Sequence, residues 1–254
     1  MSRITSMISR IRTAVADKRS TRWSNDDIID TINEGLLDFV SDTKSLRAKC
    51  YIEVEADVNT YSIKDIATDI TRVQYLNKTL PITTDLKLTK SVNFWEDKYG
   101  NTLQYIVFDD LDKGSFKIYP KINAENLAAN IINQNQIYGA IIDITTDYDL
   151  FNLMDSENIA KEVNKYMTVY YVKRPSIITI DTLDEDMELD ADYDTAIVFY
   201  VTGMLLRGDS DAQNRSFSAE QLTLYGNIVI RAKNTGTSNN NSTNRRGTEY
   251  NGGF

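Results

Sequence analysis

The chain has 254 residues, 41% hydrophobic and 26% charged, with 37 acidic against 28 basic side chains and a net charge of −9. That length and composition can bury a real core, and the acidic balance excludes a protein whose main role is gripping nucleic-acid phosphates, which needs a basic surface. It has no histidine and a single cysteine, Cys50, which excludes Ser-His-Asp and Cys-His mechanisms, the usual zinc sites and any intrachain disulfide.

Cys50 reads as a small hydrophobe beside a strand, in a chain built for a reducing compartment. Residues 1–16 contain three arginines and no uninterrupted apolar core, so they form an amphipathic helix and lack the h-region of a signal peptide. No run approaches the ~20 apolar residues of a membrane span, and the chain is expected to be cytosolic when made, with no membrane partner.

Ile4, Met7, Ile8, Ile11 and Val15 recur at spacings of three and four, predicting a first helix over 3–16. The second, over 24–42, is strongly signalled. Ser24 sits at the N-cap, Asp26 and Asp27 fill the positively polarised first turn, and Trp23 and Ile28 occupy the positions of a hydrophobic staple. Ile28, Ile29, Ile32, Leu36, Phe39 and Val40 share an arc of about 120°, and only Leu37 lies outside it. The two helices read as an antiparallel hairpin.

After Asp42 the texture turns to β, with strands expected over 49–55, 61–63, 72–76, 103–108 and 115–119 and a hairpin turn at Asp112-Lys113-Gly114. Residues 85–100 read as a polar connector whose Phe94 and Trp95 lie over the sheet. The region 122–164 lacks a clean period; a short helix within 123–133, a strand over 137–144 and a helix over 156–164 are the expectations there. A strong strand over 165–173 closes at Arg174-Pro175, and an acidic loop, 181–194, follows.

Residues 195–206 carry no charge and are apolar on every side, so the helix expected over 191–207 is buried all round, by its own domain or by a neighbouring subunit. Gly203 permits close backbone approach. A last helix over 218–233 repeats the cap pattern, with Phe217 before Ser218 and Gln221 closing a capping box. From 234 to 254 the Asn/Thr/Ser/Gly composition cannot build a core, giving a flexible tail with Arg245, Arg246, Tyr250 and Phe254 as its contact residues. The resulting architecture is α+β: residues 1–233 form a bundle of N- and C-terminal helices with a projecting antiparallel β portion, 49–175, that carries an insertion at about 122–164.

The acidic loop is the most tempting metal site. A calcium loop of the EF-hand type needs Gly at its sixth position and Glu at its twelfth; counted from Asp184 these are Leu189 and Thr195, and from Asp190 they are Thr195 and Val201. A solvated loop that lends negative charge to the next helix fits better. Glu96, Asp97, Asp109 and Asp110, near Trp95, are the material from which a glycosidase would draw its two carboxylates. No phosphate-cradling glycine motif is present, nor anything calling for a cofactor. Arg3, Arg10 and Arg12 belong to the one basic concentration, read as a solvated face or as a contact for DNA or an acidic partner.

The order of segments resembles that of tailed-phage head-to-tail adaptor (connector, head-completion) proteins of the podovirus type. Arg22-Trp23-Ser24-Asn25-Asp26-Asp27-Ile28-Ile29-Asp30-Thr31-Ile32-Asn33-Glu34-Gly35 matches their "W-S-D-x-E-L-L-x-x-I-N-E-A" opening. Asn59-Thr60-Tyr61-Ser62-Ile63, Ile118-Tyr119-Pro120, Tyr170-Tyr171-Val172-Lys173-Arg174-Pro175 and Gly208-Asp209-Ser210-Asp211-Ala212-Gln213-Asn214 continue it. The departures are Gly35 in place of alanine and the insertion 122–164.

The resemblance implies a non-enzymatic virion protein: a dodecameric ring docked beneath the portal vertex, in the neck. Such a ring extends the channel for double-stranded DNA, without sequence-specific binding, and presents the attachment site for tail, nozzle or fibre proteins during assembly and genome ejection. Trp23, Ile28, Phe199 and Gly203 are then the expected assembly residues, and the tail, anchored by Tyr250 and Phe254, is expected to insert into or along the portal. The alternatives are another tail or collar structural protein and a virion glycosidase.

Overall fold

The computed structural model describes residues 2–76, 78–108, 114–129 and 166–246, with residues 235–246 as backbone only. The class is mixed α+β, as expected. The chain divides into two compact units: one is built from its two ends, up to Leu46 and from Arg174 onward, and the other is Arg47–Lys173.

In the helical unit, α1 (Arg3–Ala14) buries Ile4, Met7, Ile8 and Ile11. It stops two residues earlier than its apolar spacing suggests, because Ala16 takes a left-handed conformation (φ 56°) that ends the helix. In α2 (Asn25–Thr43) the Ser24 hydroxyl accepts the Asp27 N–H at 3.0 Å while the Asp27 carboxylate accepts the Ser24 N–H at 2.8 Å, a capping box with aspartate in the usual Glu/Gln position. Left-handed Lys44 terminates it, its N–H reaching the Val40 carbonyl at 2.8 Å.

The uncharged stretch forms α4 (Asp194–Arg207), preceded by a 3-10 turn, Ala191–Tyr193. It touches α1, α2 and α5 (Ala212–Arg246), and no residue from Thr195 to Leu206 is exposed. Two glycines set the spacing. A Cβ on Gly35 of α2 would lie 2.7 Å from the Tyr200 ring, and one on Gly203 would lie 2.6 Å from Leu222 of α5. Phe39, Tyr193, Tyr200 and Tyr225 form an aromatic cluster at the centre, with Phe39–Tyr193 and Tyr200–Tyr225 centroids 4.8 and 5.1 Å apart.

The last helix departs from expectation at both ends. It starts at Ala212, where Asp211 accepts the Gln213 N–H at 2.8 Å, and Ser218 lies inside it. Ser218 serves a different purpose there, since its buried hydroxyl donates to the Gly203 carbonyl at 2.6 Å and ties α5 to α4. The helix runs on to Arg246, past the expected tail boundary at 234; once nucleated, each further residue adds a hydrogen bond. Residues 247–254, with Tyr250 and Phe254, lie outside the described residues.

Among the described residues, the second unit holds two four-stranded sheets. One has the order β1 (Arg47–Glu53), β8 (Tyr166–Lys173), β3 (Ala67–Tyr75), β4 (Lys78–Thr79) and is antiparallel throughout. The other has the order β2 (Thr60–Ser62), β7 (Ser115–Tyr119), β6 (Tyr105–Phe108), β5 (Ile82–Thr84); its β5–β6 pair is parallel, unlike the all-antiparallel expectation. One core joins them: Ile70 and Val73 of β3 and Met167 and Val169 of β8 cluster with Ile106, Phe116 and Ile118 of the other sheet. Alternation along β6 sends Val107 to the opposite face, where it meets Leu88 and Trp95.

The connector 85–100 contains α3 (Asp85–Ser91) and a 3-10 turn, Trp95–Asp97. Trp95 is buried against Tyr119, but Phe94 does not lie over the sheet as expected; it is 82% exposed on a left-handed backbone. Residues 124–129 are helical, capped by Asn123, whose carboxamide accepts the Asn126 N–H at 2.8 Å. The hairpin residues Asp112 and Lys113, the strand expected over 137–144 and the helix over 156–164 lie outside the described residues.

Two substitutions separate close packing from helix propensity. Gly203→Ala should lower stability by about 1–2 kcal/mol, because the overpacking cost exceeds the propensity gain. Gly226→Ala, whose Cβ would meet nothing within 4 Å, should raise it by up to about 1 kcal/mol. Urea denaturation of the full chain checks both signs.

Candidate functional site

The helical unit collects most of the residues the sequence singled out, and the connection between α1 and α2 is its most heavily bonded part. The buried Asp17 carboxylate accepts the Thr21 N–H at 2.8 Å, the Thr21 hydroxyl at 2.9 Å, the Trp23 N–H at 3.1 Å and the Arg22 N–H at 3.2 Å. Arg12 pairs with it at 3.3 Å and also donates to the Trp23 carbonyl and, at 2.6 Å, to Asn25. Burial pushes the Asp17 carboxyl up, but the N–H groups of Trp23 and Thr21, the Thr21 hydroxyl and the Arg22 N–H outweigh it and hold it at about 2.

Two longer-range ion pairs brace α4 at its ends. Arg3 grips Asp194, the first residue of the helix, through its Nε at 2.9 Å and a second guanidinium nitrogen, and it also donates to the Met187 carbonyl at 3.2 Å. The carboxylate thus complements the helix N-terminus and an arginine together. Beyond the C-terminus, Arg22 meets buried Asp209 at 2.7 Å. Arg22, the Asp211 N–H and Asn214 hold the Asp209 carboxyl far below the usual carboxylate range.

Of the basic cluster, Arg12 is buried and paired with Asp17, and Arg3 is partly exposed and paired with Asp194. Arg10 is exposed and donates to Thr195 at 3.2 Å. Among the expected assembly residues, Ile28 is fully buried in its own unit and Gly203 is enclosed against α5. Trp23 is half-buried beneath the Arg22 guanidinium, 4.3 Å from its ring centroid, and Phe199 is half-buried. Arg245 and Arg246 sit at the end of α5.

The carboxylates considered for glycoside hydrolysis lie elsewhere. Glu96 and Asp97 are exposed and paired with Lys117 and Lys121. Asp109 and Asp110 lie outside the described residues. Of the acidic segment, Asp190 caps the 3-10 turn and Asp194 opens α4, while Asp184, Glu185 and Asp186 are exposed. Among the described residues no group of three or more Cys, Asp and Glu side chains is placed to hold a metal ion, and no helix is long and apolar enough to cross a membrane.

One device escaped the sequence reading. The Asn33 carboxamide of α2 donates to the Ile178 carbonyl at 2.8 Å and accepts the Ile178 N–H at 2.9 Å, binding the segment after β8 as a strand would. Ile178 is thereby turned inward at 7% exposure, while its neighbour Ile177 stands 73% exposed. Asn33 lies in the Ile32-Asn33-Glu34 motif, but nothing local distinguishes a clamp from a solvated amide.

The Asp17 knot makes acid stability testable. A carboxyl depressed from 3.8 to about 2 contributes stability that is complete above its unfolded value and is lost as pH falls through about 2. Asp17→Asn should destabilise the chain at neutral pH and reduce the drop in urea midpoint between about pH 5 and pH 2. An undiminished drop would assign the acid sensitivity to other carboxylates.

The SU10 adaptor protein family matches residues 2–247, nearly the whole length of the chain. No curated protein sequence matches it. The match takes in the Trp23-Ser24 helix start, the clamp and brace residues of the helical unit and both sheets, and the chain belongs to the SU10 adaptor protein family.

Proposed function

We propose that this protein is a head-to-tail adaptor of a tailed-phage virion, of the podovirus type. In this reading it forms a ring, twelve copies as the resemblance implies, that docks on the portal in the neck and continues the channel for double-stranded DNA. It gives tail, nozzle or fibre proteins their attachment site and serves assembly and genome ejection without catalysing a reaction. The observation that carries the reading is membership of an adaptor family over residues 2–247.

Three features support it. The helical unit is made from both ends of the chain around an uncharged helix, a compact unit suited to assembly. A net charge of −9 suits a channel that must let DNA slide. Glu96 and Asp97, the described members of the alternative catalytic set, are neutralised by lysines on an open surface.

The C-terminal part of α5 and the residues after it are assigned to the portal. Among the described side chains of α5, Ala232 is the last buried one, and Lys233 pairs with Asp42 of α2 at 2.8 Å. A chain ending at Lys233 should keep its melting temperature, with its circular dichroism reduced only by the helical signal of residues 234–246, but lose co-sedimentation with portal particles. Undiminished docking of the shortened chain would reject this assignment.

A further inference from the structure

Two exposed surfaces of this chain have matching chemistry. The first is built around Phe94 in the β unit. Its backbone is left-handed (φ 52°), a conformation that bulky residues adopt only under constraint, and the constraint is local: the Phe94 carbonyl accepts the Asp97 N–H at 3.1 Å, opening the 3-10 turn whose Trp95 is buried. Burying Trp95 thus holds Phe94 outward at 82% exposure. Asp85 and Thr89 of α3 border the same hollow as Phe94, and Leu86, next to Asp85, is 66% exposed.

The unpaired charges around this knob are basic. Asp85 accepts the Trp95 Nε1–H at 2.9 Å, Glu96 pairs with Lys117 and Asp97 pairs with Lys121 at 3.6 Å, so the neighbouring acids are engaged. Lys87 and Lys90 of α3 and Lys98 after the turn are exposed, and none is in an ion pair among the described residues. An aromatic knob flanked by lysines suits an apolar hollow with an acidic edge.

The helical unit offers such a hollow. Ile4 of α1, Leu36 of α2 and Ile178, Met187 and Leu189 line it, with Glu185 and Asp186 at its edge. Ile177 borders it too and is 73% exposed. Its wall is set in advance, because Asn33 clamps Ile178 and Arg3 donates to the Met187 carbonyl at 3.2 Å. Glu185 and Asp186 are exposed and, like Asp184 beside them, enter no ion pair among the described residues. Knob and hollow are both preordered, so docking costs little freedom.

We infer that Phe94 of one copy seats in the Ile178–Leu189 hollow of the next copy, with Leu86 on Ile177 and with Lys87 and Lys90 against Glu185 and Asp186. Because the two surfaces differ, the contact is heterologous and repeats from copy to copy, the kind of interface that closes into a ring. The inference rests on the ring reading above and names the faces that build it.

Sedimentation velocity of the full chain, alone and with portal particles, tests it. Phe94→Asp should weaken self-association by about thirtyfold or more, since the contact loses its anchor. Lys87→Glu with Lys90→Glu, and separately Glu185→Lys with Asp186→Lys, should each weaken it by about tenfold. The chain carrying all four reversals should recover assembly, because the pairing is restored with opposite sign. Circular dichroism checks that each variant folds, as its exposed positions allow. Phe94→Cys with Ile177→Cys in one chain should give a ladder of disulfide-linked oligomers on oxidation, and either replacement alone should not. Rings that survive Phe94→Asp or either reversal, a fourfold variant that does not recover, or a double-cysteine chain without a ladder overturn this interface while leaving the adaptor reading intact. Variants that keep their rings but no longer bind portal particles assign the face to the portal and overturn it likewise. A wild-type chain that stays monomeric on portal overturns both.

Discussion

The constraint on which the structure depends is the enclosure of α4. Twelve consecutive uncharged residues, Thr195 to Leu206, leave no face of the helix fit for water, and burying side chains such as Ile197, Val201 and Leu206 contributes about 1.5–3 kcal/mol each. A helix apolar all round needs neighbours on all sides. α1 and α2 come from the start of the chain and α5 from its end, so the termini must return to one place. The intervening β unit meets that demand through its own pairing: β1, its first strand, lies beside β8, its last, with Arg47 opposite Val172.

The charged residues at the two ends of α4 are held in ion pairs. Asp194 and Arg3 serve its N-terminus, and Asp209 and Arg22 stand just past its C-terminus. The arginines that looked in sequence like a surface for a polyanion are drawn inward by these carboxylates. Of the N-terminal cations, Arg3, Arg12 and Arg22 are committed to carboxylates of the helical unit, while Arg10, Lys18 and Arg19 remain exposed.

The β unit follows a similar logic. Alternation gives its second sheet two covered faces, one on the common core and one beneath α3 and Trp95. Trp95 is anchored by its Nε1–H on Asp85 at 2.9 Å and by the Tyr119 ring, while Phe94 beside it is turned outward by a left-handed backbone. Adjacent aromatic residues thus have opposite fates, and the backbone conformation of a single residue separates them.

By itself the sequence determined the start of α2, the burial of α4, the class of the fold and most strands, because caps, uncharged runs and alternation are local signals that act within one turn or one pleat. It also carried the adaptor family in the order of its motifs, most densely from Arg22 to Gly35. Periodicity says that a face is covered and never by what. Tertiary structure alone decided that β8 fills the middle of a sheet, that Arg3 and Arg12 turn inward, that Ser218 bonds Gly203 instead of capping a helix, and that Asn33 turns Ile178 in and Ile177 out. Each of these joins residues far apart in the chain, or chooses between two neighbours of the same type, and the partner that decides it appears only when the chain has folded.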